Sequence, residues 1–366
     1  MENMHIWYKN KQIIELTNQQ GKSHTFLLRK FEPGDEKGII QCIKDEYGAT
    51  YFKRDFYDEE WLSKNAIGDK YLFFVAETDN EIVGMTVLTL FTDSEIYIEP
   101  ASQIIRKAYR RYRLADKFVD YIFSVAEELK PNCLLVHAVT FHKITQSLCE
   151  ARGMIPTGFR LGTFLTKSIF NSYEIRDCEK YSEGILVKAV NKKDAGIIYL
   201  PTEVSAFGKK IYDRLGVCYE IRNSGKADDC IISDKTQLVI NYDDLQKNVL
   251  VTIRKIGNDL ADKIKELIDS FEKAEPWTMQ VTLSISTPYI FFAYAELKKL
   301  GLFFSGLKPL CSDIEQMYMQ WTGDVKLNMD QYILTSSFDE IRKDIESFYL
   351  GRTRGVNNDK DKKQID

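Results

Sequence analysis

The chain has 366 residues, with 50 lysines and arginines against 54 aspartates and glutamates, for a formal net charge of −4. Hydrophobic residues at 44% and charged residues at 28% exclude a disordered, collagen-like or wholly coiled-coil chain, and at about 100–200 residues per domain two domains are expected. The near-balanced charge argues against whole-surface nucleic-acid binding and leaves only a local basic patch open.

No apolar run reaches the roughly 18 residues of a membrane span. The start, Met1-Glu2-Asn3-Met4-His5, lacks the basic stretch and apolar core of a signal peptide. Seven cysteines (Cys42, Cys133, Cys149, Cys178, Cys218, Cys230, Cys311) are scattered without a C-x-x-C pair. Reduced thiols in a cytoplasmic protein are therefore expected. The four histidines (His5, His24, His137, His142) contain no H-E-x-x-H, so no metal is expected.

Residues 1–22 read as a polar extension. A strand runs from Thr25 to Lys30, and a helix starts near Asp35 after the turn Pro33-Gly34. Tyr71–Glu77 and Glu81–Leu90 form an antiparallel hairpin across Asp79-Asn80. Ser94–Ile98 adds a short strand, and Ala101–Lys107 another that runs into the basic stretch Tyr109-Arg110-Arg111-Tyr112-Arg113. Leu114, Phe118, Ile122, Val125 and Leu129 then lie on one helix face. Cys133–Val139 is an apolar strand. A helix from about His142 turns Ile144, Leu148 and Ala151 inward and stops at Gly153. Met154–Thr166 supplies one or two closing strands. The order is that of a mixed α/β domain with crossover helices.

Residues 167–182 suit a linker. The second half gives a strand at Ile185–Val190, a helix at Val204–Leu215, and a strand pair at Gln237–Asn241 and Val249–Lys255. A helix on Leu260, Ile264, Leu267 and Phe271 follows, then a strand at Met279–Ser286 and a helix from Pro288 to Leu300. Phe303–Leu307 and Gln316–Trp321 close the pattern. Gln146–Met154 and Tyr294–Leu302 share a helix–Gly–strand order, which suggests internal duplication. Residues 351–366 read as a disordered tail.

The stretch Ile104–Ala115 carries the chemistry. A strand enters a basic loop, and the loop opens a helix whose first N–H groups lack internal partners and favour an anion. Arg110, Arg111 and Arg113 add bidentate donors. On charge pattern alone a solvated basic loop reads equally well.

Tyr109, Arg110 and Ala115 resemble the acyl-CoA-binding motif of the GNAT N-acetyltransferase superfamily, which passes from a strand through Tyr-Arg into R-x-x-G-x-G/A at a helix start. His142-x-x-x-Gln146 followed by Gly153-Met154 resembles that family's next strand–helix motif. The resemblance implies an α/β chain of two GNAT-like domains in tandem, each a mixed central sheet flanked by helices. Residues 23–168 are then the acyltransferase domain and 183–348 a degenerate copy. The implied donor is acyl-CoA (acetyl-CoA), held by Ile105, Arg106, Lys107, Arg110, Arg111, Arg113, Leu114 and Ala115. The split between strands near 104–107 and 134–138 holds its pantetheine arm.

Arg113 stands where the family has glycine, which leaves a carrier-protein-bound pantetheine thioester as a second donor and an acyl carrier protein as a partner. The acceptor is a small-molecule amine or a peptide. His142, at the start of the helix, reads either as the proton acceptor or as a capping residue. Gln146, one turn on, orients that ring or contacts substrate. Cys149 falls where many relatives place a tyrosine acid, and reads either as a proton donor or as a core thiol. The second half has only Arg254-Lys-Ile-Gly-Asn-Asp259 before its helix, a poor phosphate loop, so one active site is expected. That half would support the fold, pair two chains in a homodimer, or shape the acceptor site. A non-catalytic binding or sensor module is the alternative reading.

Overall fold

The computed structural model describes residues 11–91, 97–166, 179–192, 196–224 and 233–361, with side chains as far as 352. Two compact units meet in sequence at Val136 and His137.

The first unit contains β1 (Gln12–Thr17), β2 (Ser23–Lys30), α1 (Glu36–Tyr47), α2 (Glu59–Asn65), β3 (Tyr71–Thr78), β4 (Glu81–Phe91), β5 (Tyr97–Ile105), α3 (Leu114–Glu128) and the start of β6 (Cys133–Val139). Strands β1 to β5 pair antiparallel in chain order. The β3–β4 turn places Asp79 and Asn80 at φ 51° and 59°, the left-handed pair that a two-residue hairpin requires. One face of α1 buries Ile39, Ile40, Cys42 and Ile43 against Phe73, Val75, Met85 and Val87. β3 is apolar on both faces because it lies inside this sheet.

The second unit continues with the end of β6, then α4 (Ile144–Glu150), β7 (Ile155–Leu165), β8 (Lys180–Ala189), β9 (Ile197–Tyr199), α5 (Thr202–Leu215), β10 (Glu220–Arg222), β11 (Gln237–Asp243), β12 (Asn248–Lys255), α6 (Leu260–Asp269), β13 (Thr278–Ser284), α7 (Ile290–Lys299), β14 (Phe303–Lys308), β15 (Gln316–Trp321) and α8 (Ser336–Asp361). Its sheet runs β8-β7-β14-β15-β13-β12-β11, with β9 and β10 a separate parallel pair. Mixed sheets flanked by helices are thus the architecture. Among the described residues no helix is long and apolar enough to cross a membrane.

Several boundaries differ from the sequence reading. β1 forms inside the expected extension, of which residues 1–10 lie outside the described residues. The two strands expected at Ser94–Ile98 and Ala101–Lys107 are one strand, β5, with 92–96 outside the described residues. β8 starts at Lys180, within the expected linker, of which 167–178 lie outside. The expected tail from 351 is helical as far as Asp361, and 362–366 lie outside. That helix starts upstream with Phe338, Ile341 and Ile345, all fully buried, at the spacing of one helical face. Phe338 packs tilted against Phe159 of β7, and Phe348 edge-on against Phe304 of β14. Cys42, Cys133, Cys149, Cys218 and Cys311 are free thiols; Cys178, Cys230 and His5 lie outside the described residues.

An internal repeat is visible. The order β5-α3-β6-α4-β7-β8 recurs as β12-α6-β13-α7-β14-β15. In each series the first two strands are parallel and the last two antiparallel. Helices α3 and α6 both begin Leu-Ala-Asp-Lys, at Leu114–Lys117 and Leu260–Lys263. Gly153 and Gly158 are matched in spacing by Gly301 and Gly306. β7 and β14 pair at Gly158 and Gly306, where a Cβ on Gly158 would fall 2.5 Å from the Gly306 Cα. Replacing Gly158 by Ala is expected to destabilise by about 2–3 kcal/mol, the upper range for overpacking. An unchanged denaturant midpoint would show that the two backbones separate freely.

Lys180 is 2% exposed. Its Nζ donates to the Lys247 carbonyl at 2.8 Å and to Thr278 Oγ1 at 2.9 Å. Burial pushes this ammonium down to about 7, against about 10.4 in an unfolded chain. Between those values the unfolded chain binds the extra proton, so this group makes stability rise with pH from about 7 to 10. Below that window the burial cost is fully present. Lys180→Met is expected to remove this rise, measured as the difference in denaturant midpoint between wild type and variant across pH 7–9.5. Parallel pH profiles would contradict it.

Candidate active site

The site is built on the end of β5. Met85 of β4 pairs with Ile104, but Val87 pairs with Ala101, so β5 carries a bulge between them. Ser102 sits in that bulge at φ 56°, a left-handed conformation that a non-glycine residue seldom adopts and that marks functional bulges. Its Oγ accepts from Tyr51 Oη at 2.8 Å and from Lys53 Nζ at 3.1 Å. Lys53 also lies 5.2 Å from the Phe56 ring centre. Gln103 donates from Nε2 to the Ala115 carbonyl at 3.2 Å, which ties the bulge to the first turn of α3. β5 pairs in parallel with β6 at Tyr97–Cys133 and Ile98–Leu134.

Beyond Ile105 the chain makes a 3-10 turn, Lys107–Tyr112, and enters α3 through Arg113 at φ 60°, ψ 20°. The backbone here adopts the conformation a glycine would supply. The Arg113 side chain is 81% exposed and pairs with Asp116 at 3.0 Å, so it does not fill the space over the helix start. Tyr109 and Tyr112 pack edge-on against Phe26. Lys107 and Arg111 are exposed and, among the described residues, make no ion pair. Together the turn presents helix N–H groups flanked by solvent-facing cations, the arrangement that receives phosphate.

Two of the sequence candidates have a different duty. Arg106 is bound by Asp45 at 2.7 Å and by Glu81, which hold its guanidinium above its ordinary value. Arg110 donates to the Ile105 carbonyl at 2.9 Å and pairs with the buried Glu46. Both fasten the turn to α1 and β4. Ile105 and Leu114 are buried and Ala115 half-buried at the two ends of the turn.

His142, Gln146 and Cys149 belong to the second unit. His142 is half-buried, edge-on to Phe141. Gln146 is fully buried and spends its amide on backbone. Nε2 donates to the carbonyls of Val139 at 3.0 Å, His142 at 3.2 Å and Ile333 at 3.1 Å, and Oε1 accepts from Thr335 N at 3.0 Å. It holds α4 to the segment before α8. Cys149 is 3% exposed, and burial pushes its thiol up to about 12, which suits packing and disfavours proton donation.

The start of α6, which shares the Leu-Ala-Asp-Lys opening of α3, is occupied by the chain itself. Asp259, at the helix start, accepts from Thr236 N at 2.6 Å. Asn258 N donates to the Ser233 carbonyl at 2.8 Å, and Gly257 N to Thr236 Oγ1 at 3.0 Å. Lys263 caps the Thr236 carbonyl at 2.9 Å. A cradle lined by a carboxylate and closed by residues 233–236 does not suit a phosphate.

Sequence reading did not single out Tyr51, Lys53, Ser102 or the carboxylates Asp45, Glu46 and Glu81. One signal was present: Asp45 and Glu46 end α1, where the helix dipole disfavours anions, so adjacent acids there imply cationic partners.

Residues 37–154 match the acetyltransferase (GNAT) family. Among solved structures, the ribosomal-protein-S18-alanine N-acetyltransferase of Escherichia coli is 12% identical, aligning 46% of this chain with 96% of its own at a TM-score of 0.37. An acetyltransferase of the GNAT family from Streptococcus pneumoniae is 15% identical over 45% of this chain and 99% of its own, at a TM-score of 0.36. The spermidine/spermine N-acetyltransferase of Vibrio cholerae is 16% identical over 45% and 92%, at a TM-score of 0.36. No curated protein matches the chain.

Arg110→Ala leaves Glu46 buried without its cation and is expected to cost about 1–3 kcal/mol of stability. Arg113→Gly is expected to keep stability or raise it by up to about 1 kcal/mol, whereas Arg113→Val lowers it by about 1–2 kcal/mol. Thermal unfolding checks both, and a destabilised Arg113→Gly would contradict the left-handed assignment.

Proposed function

We propose that the chain is an N-acyltransferase of the GNAT kind, carrying an acetyl or related acyl group from the thioester of coenzyme A to an amine. The observation that carries this reading is the left-handed turn at Arg113, which opens α3 toward exposed cations inside the region matching the family. Backbone N–H groups of Leu114 and Ala115, with Lys107 and Arg111, would hold the donor's phosphates. The outward Arg113 side chain supports coenzyme A itself over a carrier-bound pantetheine thioester, because it leaves the backbone approachable.

Bound there, the thioester supplies an activated acyl carbon. A bulge leaves backbone out of the ladder, and N–H groups of the β5 bulge at Ser102 and Gln103 are proposed to polarise the carbonyl. The amine nitrogen attacks that carbon, the carbon–sulfur bond breaks with the electron pair going to sulfur, the amine gives up a proton, and the coenzyme A thiolate takes one up from solvent and leaves as the thiol. For proton removal we propose solvent water; Gln146 and Cys149 are buried and suit structural work. The second copy, with its cradle closed by residues 233–236, is proposed as a degenerate GNAT-like domain without donor binding.

The test follows thiol release from acetyl-CoA with a panel of primary amines and peptides. At least one acceptor is expected to raise release well above hydrolysis. With that acceptor, Lys107→Ala combined with Arg111→Ala is expected to raise the KM for acetyl-CoA at least about tenfold. Absence of thiol release with every amine, together with absence of acetyl-CoA binding in calorimetry, would overturn the reading.

A further inference from the structure

The β5 bulge is held from three sides, all within the first unit. The Ala101 carbonyl accepts from Thr86 Oγ1 of β4 at 3.1 Å. The Gln103 side chain reaches the first turn of α3. Ser102 lies between them at φ 56°. Its hydroxyl is gripped by two donors from the segment between α1 and α2, Tyr51 Oη at 2.8 Å and Lys53 Nζ at 3.1 Å. Both donors are themselves fixed. Tyr51 is buried in the core that contains Phe56, Phe73 and Met85, with its ring centre 4.6 Å from that of Tyr47. Its backbone N–H donates to Tyr57 Oη at 3.2 Å, and Tyr57 Oη donates to the Gly48 carbonyl at 2.9 Å. The Lys53 ammonium sits over the Phe56 ring.

A left-handed residue inside a strand is the ordinary province of glycine, because a Cβ makes that conformation unfavourable. A residue with a Cβ stays there only where its surroundings fix it. Serine supplies what glycine lacks, a hydroxyl able to accept two hydrogen bonds. We infer that Tyr51 and Lys53 are positioning residues: by binding the Ser102 hydroxyl they hold the bulge in its left-handed conformation, and so fix the direction of the Ser102 and Gln103 N–H groups. This role rests on the reading under which those N–H groups meet the acyl carbonyl. Tyr51 and Lys53 act through Ser102 and need not touch the donor. Two substitutions separate such a latch from simple core filling. Tyr51→Phe keeps the ring and removes only the hydroxyl. Ser102→Gly takes the left-handed conformation without a latch, so it makes the Tyr51 hydroxyl dispensable.

Hydrogen–deuterium exchange of the full chain reads the latch without any substrate. Tyr51→Phe, Lys53→Met and Ser102→Ala are each expected to raise exchange over residues 99–105 and to leave residues 257–263 as in the wild-type chain. In thiol release from acetyl-CoA with an accepted amine, Tyr51→Phe is expected to lower kcat at least about tenfold, as a misplaced reacting group does. The KM for acetyl-CoA is expected to stay within about twofold of wild type, because the phosphates are held elsewhere. Ser102→Ala is expected to lose more activity than Ser102→Gly, although both lack the hydroxyl. Added to Ser102→Gly, Tyr51→Phe is expected to cost less than about twofold further, the coupling of a double-mutant cycle. Unchanged exchange over 99–105 in all three variants would overturn the inference, whatever the activity. So would an equal loss of kcat from Tyr51→Phe in the wild-type and Ser102→Gly chains, the result of core filling alone. Raised exchange in a chain that releases no thiol with any amine upholds the latch and overturns the catalytic reading of the bulge that it would serve.

Discussion

Two consecutive carboxylates at the end of α1 hold the turn on which the site depends. Asp45 binds Arg106 and Glu46 binds Arg110, while Glu81 takes the other side of Arg106. The cations of this loop thus divide their labour. Those facing the protein fix the path of the chain from β5 into α3, and Lys107 and Arg111 face solvent. Glu46 is buried and its partner is partly exposed, so the pair acts as an anchor whose loss would free the whole turn. With the turn fixed, Arg113 can hold the left-handed conformation that glycine holds in the motif it resembles. The helix start is then presented without rearrangement, which is what rigid anion recognition needs.

Much of this was legible in the residues. The β3–β4 hairpin, the amphipathic face of α3, the strand–loop–helix order and the helix–Gly–strand echo all follow from local patterns. Tertiary partners were not legible. An arginine in a basic loop looks the same whether it faces phosphate or a carboxylate 64 residues away, as Arg110 does. Gln146 lies one turn from His142 on the helix, yet its amide is consumed by the backbone of Val139, Ile333 and Thr335. The helical start of the tail was not legible because the apolar face of α8 lies upstream of it, on Phe338, Ile341 and Ile345, in a stretch to which no element had been assigned. Ser102 gave no signal, since a bulge is a property of two strands.

The recurring order of elements places two helix starts of different chemistry in one chain. Leu-Ala-Asp-Lys opens both α3 and α6, and the glycines of β7 and β14 meet backbone to backbone. Yet Asp259 stands where Arg113 stands, and it binds the chain's own Thr236.

The central claim is that the donor is read by the start of α3 and not by its repeat. Hydrogen–deuterium exchange of the full chain with and without coenzyme A tests this directly. The account predicts slowed exchange over residues 105–116 and no change over 257–263. Protection at 257–263, or no protection at 105–116 under saturating ligand, would contradict it.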